Sequence, residues 1–536
     1  MIIIGAGLAG ASAARTLRTE GFEGRIVLLG EEPELPYERP PLSKGYLTGE
    51  TPRSQIYVHD AAFYADSYIE VRTGARVTAL DLPSSEVVLE TGEKLRFDRL
   101  LLATGASPRR LQVPGGDLEG IHYLRDLADA DALRESLAPG GRLVVVGAGW
   151  IGAEVAASAR EQGLQVTVLD PMPVPLARVL GPEVGGFYAR LHADQGVDML
   201  LGTGLAGFEG SGRVERVITT DGRSIAADAV VVGIGVRPRT ELAERAGLTV
   251  DDGVVVDDLL RTSHPRVFAA GDIARAHHPF YGEHVRVEHW GTARDHGTAA
   301  ARSMLDRGVP YDTLPYFFSD QYESGMEYRG RAVDWDRVVF RGDPGTGQFL
   351  AFWLHESRVL AGMNVNVWDV GDDIERLIRS RARVDSDRLA DAGVPLAEVS
   401  THVAPRSGTT GAPSRGGFLA EGMGFVRKFV ADRFTPADPT PIEELAPGEG
   451  RVLDVAGEKV AVYKDPDGRL HGVSPVCTHA RCLVEWNGAD TAWDCACHGS
   501  RFDPTGQVLR GPAKKNLEPR QLPATGGHRA DGAGRP

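Results

Sequence analysis

The chain has 536 residues, 42% hydrophobic and 25% charged, an ordinary composition for folded protein and long enough for three or four domains. Its formal net charge of −15 gives a nucleic-acid role no electrostatic support. No apolar run is long enough to span a bilayer, and Ile2–Ile4 meets glycines too soon to form a signal-peptide core, so a cytoplasmic location is expected.

Met1–Ile4 reads as a short buried strand that opens into Gly5-Ala6-Gly7-Leu8-Ala9-Gly10 and an alanine-rich helix. That order is the context a dinucleotide fingerprint needs. Gly5, Gly7 and Gly10 permit the tight turn and let backbone N–H groups reach a pyrophosphate at the helix N-terminus. A second strand, Arg25–Leu29, ends at Gly30-Glu31-Glu32, where an acid suits an adenosine ribose; Glu31 is preferred over Glu32. Residues 36–47 (Pro-Tyr-Glu-Arg-Pro-Pro-Leu-Ser-Lys-Gly-Tyr-Leu) read by themselves as a proline-rich loop with solvated charges. A second complete fingerprint follows the strand Arg142–Val146, with Gly147, Gly149 and Gly152, and its partner strand Val166–Leu169 ends at Asp170. Two fingerprints imply two dinucleotides. Asp170 can accept from a free ribose 2′-OH and would repel a 2′-phosphate, which favours NADH over NADPH. No cysteine precedes Cys477, which excludes a redox-active disulfide beside the first nucleotide site.

Strands are expected at Arg337–Arg341, Phe349–His355 and Arg358–Val367, then an arginine-rich helix near Ile374–Arg383 whose charges are expected to face solvent. Residues 403–417, rich in Gly, Ser, Thr and Pro, read as a flexible linker. Gly424–Phe434 places Phe425, Val426, Phe429 and Val430 on one helical face, expected to dock on a folded domain. Leu445–Gly450 and Gly457–Tyr463 read as hairpin strands, with a turn at Asp465-Pro466-Asp467-Gly468. All four cysteines lie in Cys477–Cys482 and Cys495–Ser500. One Cys and one His from each cluster give C-x-H, fifteen residues, then C-x-x-H. Two thiolates and two imidazoles suit a Rieske [2Fe–2S] centre or a structural zinc; zinc leaves Cys482 and Cys497 without a role.

Residues 36–47, together with Leu100–Gly105 and Val267–Asp272, resemble the FAD-containing ferredoxin reductases that serve ring-hydroxylating dioxygenases, cytochromes P450 and rubredoxins. The resemblance covers about residues 1–400. It implies an α/β fold with two Rossmann-like domains, one for FAD and one for NAD, plus an α+β reductase C-terminal domain. It implies Arg39 at the FAD phosphates, Lys44 near the flavin, and Pro40 and Pro41 along its ring. Ala103, Thr104 and Gly105 match the crossover out of the first flavin segment, and Gly235 lies in the crossover back. Gly271 and Asp272 match the return segment, with the Asp272 carboxylate at the ribityl chain, and Glu288 and Trp290 match the segment beside the isoalloxazine, with His289 a lesser candidate. Glu154 matches the glutamate near hydride transfer; its plain alternative is a charge on a helix face. The family more often has Glu where Asp170 stands, and Trp where Phe318 stands in the segment Tyr316–Tyr322 that opens the C-terminal domain.

Residues 441–522 resemble the small all-β Rieske domains at the C-termini of bacterial flavoprotein oxidoreductases, and the cluster loops resemble the cytochrome bc type. That resemblance implies Cys477, His479, Cys495 and His498 as [2Fe–2S] ligands, Cys482–Cys497 as a disulfide, and Ser500 as a donor to a bridging sulfide. Arg481 and Ala496 depart from the usual Gly and Pro, and Phe502 stands where many high-potential centres have Tyr. The expected layout is an FAD domain at 1–112 and 242–318, an NAD domain at 113–241, the reductase C-terminal domain at 319–400, a linker with a short amphipathic helix at 401–435, the Rieske domain at 436–522 and a disordered tail at 523–536. Together the resemblances imply an NADH-dependent FAD oxidoreductase that passes electrons to a fused Rieske cluster and on to an external one-electron acceptor, such as an oxygenase or P450 system. Two alternatives stay open: an NADH oxidase that uses O₂, and a redox sensor resembling the apoptosis-inducing-factor-like proteins. A homodimer is allowed but not required.

Overall fold

The structure, a computed structural model, describes residues 1–400, 442, 445–455, 458–478, 483–488, 490–495, 500–511, 513, 515–520 and 522. The chain divides into two units, Met1–Ser407 and Gly408–Pro536.

The first unit begins β1 (Ile2–Ile4), α1 (Leu8–Thr19), β2 (Ile26–Leu29), β3 (Ile69–Arg72) and β4 (Leu100–Leu102). A second nucleotide-type set follows: β5 (Ile121–His122), β6 (Arg142–Val146), α2 (Trp150–Glu161), β7 (Gln165–Asp170), α3 (Ala177–Asp194), β8 (Asp198–Leu201) and β9 (Ala229–Val232). The chain then returns to the first set with β10 (Val267–Ala269) and α4 (Trp290–Met304). The two parallel sheets have strand orders β10-β4-β1-β2-β3 and β8-β7-β6-β9-β5. Elements cover both faces of such a sheet, so β1, β2 and β4 are unbroken apolar runs that are buried at every position.

Beyond smaller antiparallel sheets set into the two nucleotide halves, the C-terminal part of this unit is built on an antiparallel sheet of β11 (Tyr316–Gln321), β12 (Ser324–Gly330), β13 (Arg337–Asp343), β14 (Gln348–His355) and β15 (Arg358–Val365), in the order β11-β12-β15-β14-β13. Phe349 and Phe352 on β14 are fully buried, each contributing about 1.5–3 kcal/mol relative to exposure. Trp353 reaches into the nucleotide half: its indole N–H donates to the Leu180 carbonyl at 3.1 Å, where Gly181 and Pro182 break α3. The helix expected near Ile374–Arg383 is α5 (Gly371–Ser380). It packs through Ile374, Leu377 and Ile378, one helical face, and stops where Arg381 turns to φ 50°.

The second unit is all β in its described part. One antiparallel sheet holds β16 (Gly450–Val455), β17 (Glu458–Lys464) and β18 (Leu470–Val473). The other holds β19 (Val484–Asn487), β20 (Ala492–Cys495), β21 (Arg501–Phe502) and β22 (Val508–Arg510). The strand expected from Leu445 starts only at Gly450, because the chain turns just before it, with Gly448 at φ 86°. Tyr463, Val473, Trp493 and Phe502 form its core with Cys477 and Cys495. The linker, the amphipathic segment Gly424–Phe434 and the tail lie outside the described residues. Among the described residues, no helix is long and apolar enough to cross a membrane.

Candidate functional site

The two glycine turns are built alike. Gly5 has φ +113°, and a Cβ there would lie 2.1 Å from the Ala103 carbonyl oxygen; a Cβ on Gly10 would lie 2.0 Å from the Gly5 oxygen. Gly147 and Gly152 repeat this, with φ +106° at Gly147 and a Cβ on Gly152 2.0 Å from the Gly147 oxygen. Only glycine lets each helix press so closely on its turn. Gly7 and Gly149 cap α1 and α2 without a side-chain bond, so the first backbone N–H groups and the positive helix ends stay open. Both turns face one cavity of about 1670 Å³. All the reductase-side residues singled out from the sequence line it, except Gly10, Gly152 and Pro41, which lie behind.

The two acids after β2 have different partners. Glu31 is half-exposed and pairs with Arg239 and, at 3.2 Å, with Arg76. Glu32 accepts from Arg39 at 2.8 Å and from the Tyr37 hydroxyl. Burial pushes the Glu32 carboxyl up, but Arg39, with help from Tyr37 and Arg125, outweighs it and holds the group below its usual range. Asp272 accepts from Arg125 at 2.9 Å. The sequence reading missed Arg125. Its Nε–H is buried in the cavity wall with no acceptor among the described residues, so it suits an anionic ligand. Its one sequence signal is a cationic residue just before the capping box Asp126–Asp129, too common a pattern to single it out.

Lys44 and Glu154, 110 residues apart in sequence, meet at 2.8 Å. Glu154 is 5% exposed, which rules out the helix-face alternative. One carboxylate oxygen accepts from Lys44 and from the Ser43 hydroxyl at 2.6 Å; the other accepts from Ser319 at 2.8 Å. A buried carboxylate that accepts from three donors is held in one orientation. The Lys44 ammonium also lies 5.8 Å from the Phe318 ring centroid. Around them, the Trp290 indole N–H donates to buried Glu38 at 3.0 Å, and Glu288 pairs with Arg286. His289 caps α4 by accepting the Gly291 N–H at 3.1 Å.

Asp170 is latched to the backbone. Its two oxygens accept the N–H groups of Ala148 at 2.7 Å and Met172 at 2.8 Å. The carboxylate therefore braces the second glycine turn and keeps lone pairs for a hydroxyl in the cavity.

In the second unit, Cys477 and Cys495 are buried at 0% and 2% exposure. The loops that follow them are closed at their bases: a bridge joins Val476 to Leu483, and the Cys495 N–H donates to the Ser500 carbonyl at 2.7 Å. The Ser500 hydroxyl oxygen accepts the Ala513 N–H at 3.0 Å, which leaves its own proton to donate. Phe502 is fully buried. His479 and His498 lie outside the described residues. The expected Cys482–Cys497 disulfide falls there too and has no support.

Both glycine turns open onto one cavity and no cysteine precedes Cys477, an arrangement suited to an oxidoreductase that takes two nucleotides without a redox-active cysteine pair. Residues 1–297 match the family model of pyridine nucleotide-disulphide oxidoreductases, residues 316–400 the reductase C-terminal domain and residues 438–521 the Rieske [2Fe–2S] domain. The chain belongs to the pyridine nucleotide-disulphide oxidoreductase family and carries a C-terminal Rieske domain. It is 39% identical over 405 residues to putidaredoxin reductase of Pseudomonas putida, covering 74% of this chain and 96% of that one. It is 42% identical over 398 residues to the ferredoxin–NAD(+) reductase component of the biphenyl dioxygenase system of Paraburkholderia xenovorans, covering 74% and 97%. The crystal structure of the covalent putidaredoxin reductase–putidaredoxin complex matches with a TM-score of 0.70 at 40% identity, covering 74% of this chain and 97% of that one. The protein is thus a flavoprotein oxidoreductase of the ferredoxin reductase type, and its cofactors are FAD, NADH and a [2Fe–2S] cluster.

Proposed function

We propose that this chain draws electrons from NADH at the shared cavity and delivers them through its own Rieske domain to an external oxygenase or cytochrome P450 system. The Lys44–Glu154 pair carries this reading. It lies on the wall that both glycine turns share, and the loop after β2, α2 and β11 all contribute to it. FAD, when bound, accepts a hydride and releases electrons singly, the chemistry that joins a two-electron donor to a one-electron cluster.

The residues divide the work. The open N-terminus of α1 at Gly5 and Gly7, with Arg39 and the free N–H of Arg125, holds the flavin nucleotide's pyrophosphate. Glu31 takes its adenosine ribose and Asp272 its ribityl chain. Ala103, Thr104, Gly105, Gly235 and Gly271 line the cavity as backbone that can approach a flat ligand. Gly147 and Gly149 at α2 hold the NADH pyrophosphate, and Asp170 takes the ribose 2′-OH. Lys44, oriented by Glu154, would contact the reacting rings in this cavity, which Glu288 and Trp290 also line. Cys477, His479, Cys495 and His498 bind the cluster, with Ser500 donating to it. A cytoplasmic location fits a coenzyme supplied by metabolism.

The test is composition together with kinetics. The purified protein should hold one FAD, two irons and two acid-labile sulfides, as one [2Fe–2S] centre requires. His479→Ala or His498→Ala should remove the iron and spare the flavin. Glu154→Gln should slow anaerobic flavin bleaching by NADH. Stoichiometric zinc without labile sulfide would contradict the cluster assignment, and unchanged bleaching would contradict the role of the pair. Rapid peroxide formation that bypasses the cluster would favour an oxidase.

A further inference from the structure

Behind Glu154 runs a line of buried polar side chains that the proposed mechanism leaves unused. Ser319 and Gln321 lie two apart on β11, so they share one face of the strand. His192 comes from α3. Ser319, Gln321 and His192 are each 1% exposed. Three polar residues buried this deeply cost stability unless each is hydrogen-bonded.

They are bonded in one direction. The acceptor at His192 Nε2 is the Gln321 side-chain oxygen at 2.9 Å, so Nε2 carries the proton. Burial pushes the His192 imidazole below its ordinary range, although the Gln321 bond opposes this, so the ring is neutral near pH 7. Nδ1 then accepts from the Tyr322 hydroxyl at 3.0 Å. The Gln321 amide donates to Ser319 Oγ at 3.2 Å. With that lone pair used, the Ser319 hydroxyl donates to Glu154 at 2.8 Å. Every proton points towards the carboxylate. Only the opposite oxygen of Glu154 bears Lys44.

We infer that His192, Gln321 and Ser319 form a positioning relay that fixes the Glu154 carboxylate, and through it Lys44, from the side remote from the cavity. This rests on the reading that Lys44 and Glu154 flank hydride transfer. The relay makes no contact with substrate. It ties the reactive geometry to the packing of the C-terminal sheet against α2 and α3, which gives that sheet a part in the flavin half-reaction.

The experiment uses the full-length holoprotein and anaerobic stopped flow, with NADH varied to separate the limiting rate of flavin bleaching from the apparent Kd. Gln321→Met, near-isosteric and without hydrogen-bonding groups, should lower the limiting rate about five- to tenfold and leave the apparent Kd within about twofold. Ser319→Ala should do the same. The double variant should be no slower than either single one, because both break one chain. Histidine labelled with ¹⁵N gives an independent readout: His192, assigned by its loss in His192→Gln, should show the Nε2–H tautomer in the parent and in Ser319→Ala and lose that preference in Gln321→Met. Additive losses, or an unaltered tautomer in Gln321→Met, would overturn the relay. So would an unchanged limiting rate in Gln321→Met where Glu154→Gln is slow. If Glu154→Gln is itself unimpaired, the underlying reading of the pair fails, and that result is distinct.

Discussion

The two glycine turns of the reductase share their backbone and differ in how the acid after the second strand is used. In the first, Glu31 sits half-exposed between Arg76 and Arg239 and braces no part of the turn through its backbone. In the second, Asp170 grips the N–H groups of Ala148 and Met172. The cavity wall on the first turn's side carries a network instead: Arg39 pairs with Glu32, which also accepts from Tyr37, and Arg125 pairs with Asp272. The second has the single carboxylate. Under the proposed assignment, a resident cofactor would face the charged network, while an exchanging coenzyme would meet a turn held by one carboxylate.

The two turns are most sensitive at their glycines. Gly10→Val and Gly152→Val each force a side chain onto a backbone oxygen about 2 Å away, a strain of roughly 3 kcal/mol or more. Gly10→Val should yield protein depleted of FAD. Gly152→Val should keep its FAD and bind NADH about a hundredfold more weakly. Flavin content and NADH titration check both. If Gly152→Val loses flavin as readily as Gly10→Val, the two turns are not independent.

A milder contrast lies in the acids. Asp170→Ala strands two backbone N–H groups, each costing about 1–3 kcal/mol where water cannot reach. KM for NADH should rise about tenfold, the gap to NADPH should narrow, and FAD content should stay constant. Glu31→Gln loses exposed ion pairs, worth about 0–1 kcal/mol, and keeps a side-chain oxygen that can accept from the ribose, so its effect on FAD retention should be slight. Equal use of NADPH by the unaltered protein would show that Asp170 does not read the 2′-position.

The smallest effect comes from pH, on the flavin side. His296 on α4 is buried, and its Nδ1 has no hydrogen-bond partner among the described residues. Burial, with a contribution from His278, lowers its pKa to about 3. Its folded pKa lies below the unfolded value near 6.5. The stability that goes with the neutral ring is therefore complete above pH 6.5 and is lost as pH falls from there towards 3. His296→Phe should move the midpoint of acid-induced flavin release down by roughly half a pH unit. A midpoint that does not move would show that other groups govern acid release.

What the sequence disclosed, and what it hid, divides by range. The glycine turns were legible because strand, turn and helix are contiguous and the φ > 0 positions admit little but glycine. Lys44 and Glu154 were each legible by resemblance, but their contact was not, since it depends on how α2 packs on the loop after β2. Arg125 escaped because nothing around it in sequence marks an anion site; its value comes from Asp272, 147 residues on. The Asp170 latch escaped because a carboxylate that braces backbone and one that reads a ribose have the same sequence. At Leu445 the apolar start suggested a strand, but the turn around Gly448 delays pairing until Gly450.

In the proposed function, NADH electrons reach the cluster within one chain. Covalent linkage of two redox domains gives an effective concentration of order millimolar, well above micromolar protein in solution. Anaerobic stopped flow that follows cluster bleaching after mixing with NADH, over a wide dilution series of the full-length protein, tests this directly. Transfer within one chain requires a first-order rate constant that is independent of protein concentration. A rate constant that scales with protein concentration would mean that electrons pass between molecules, and would contradict it.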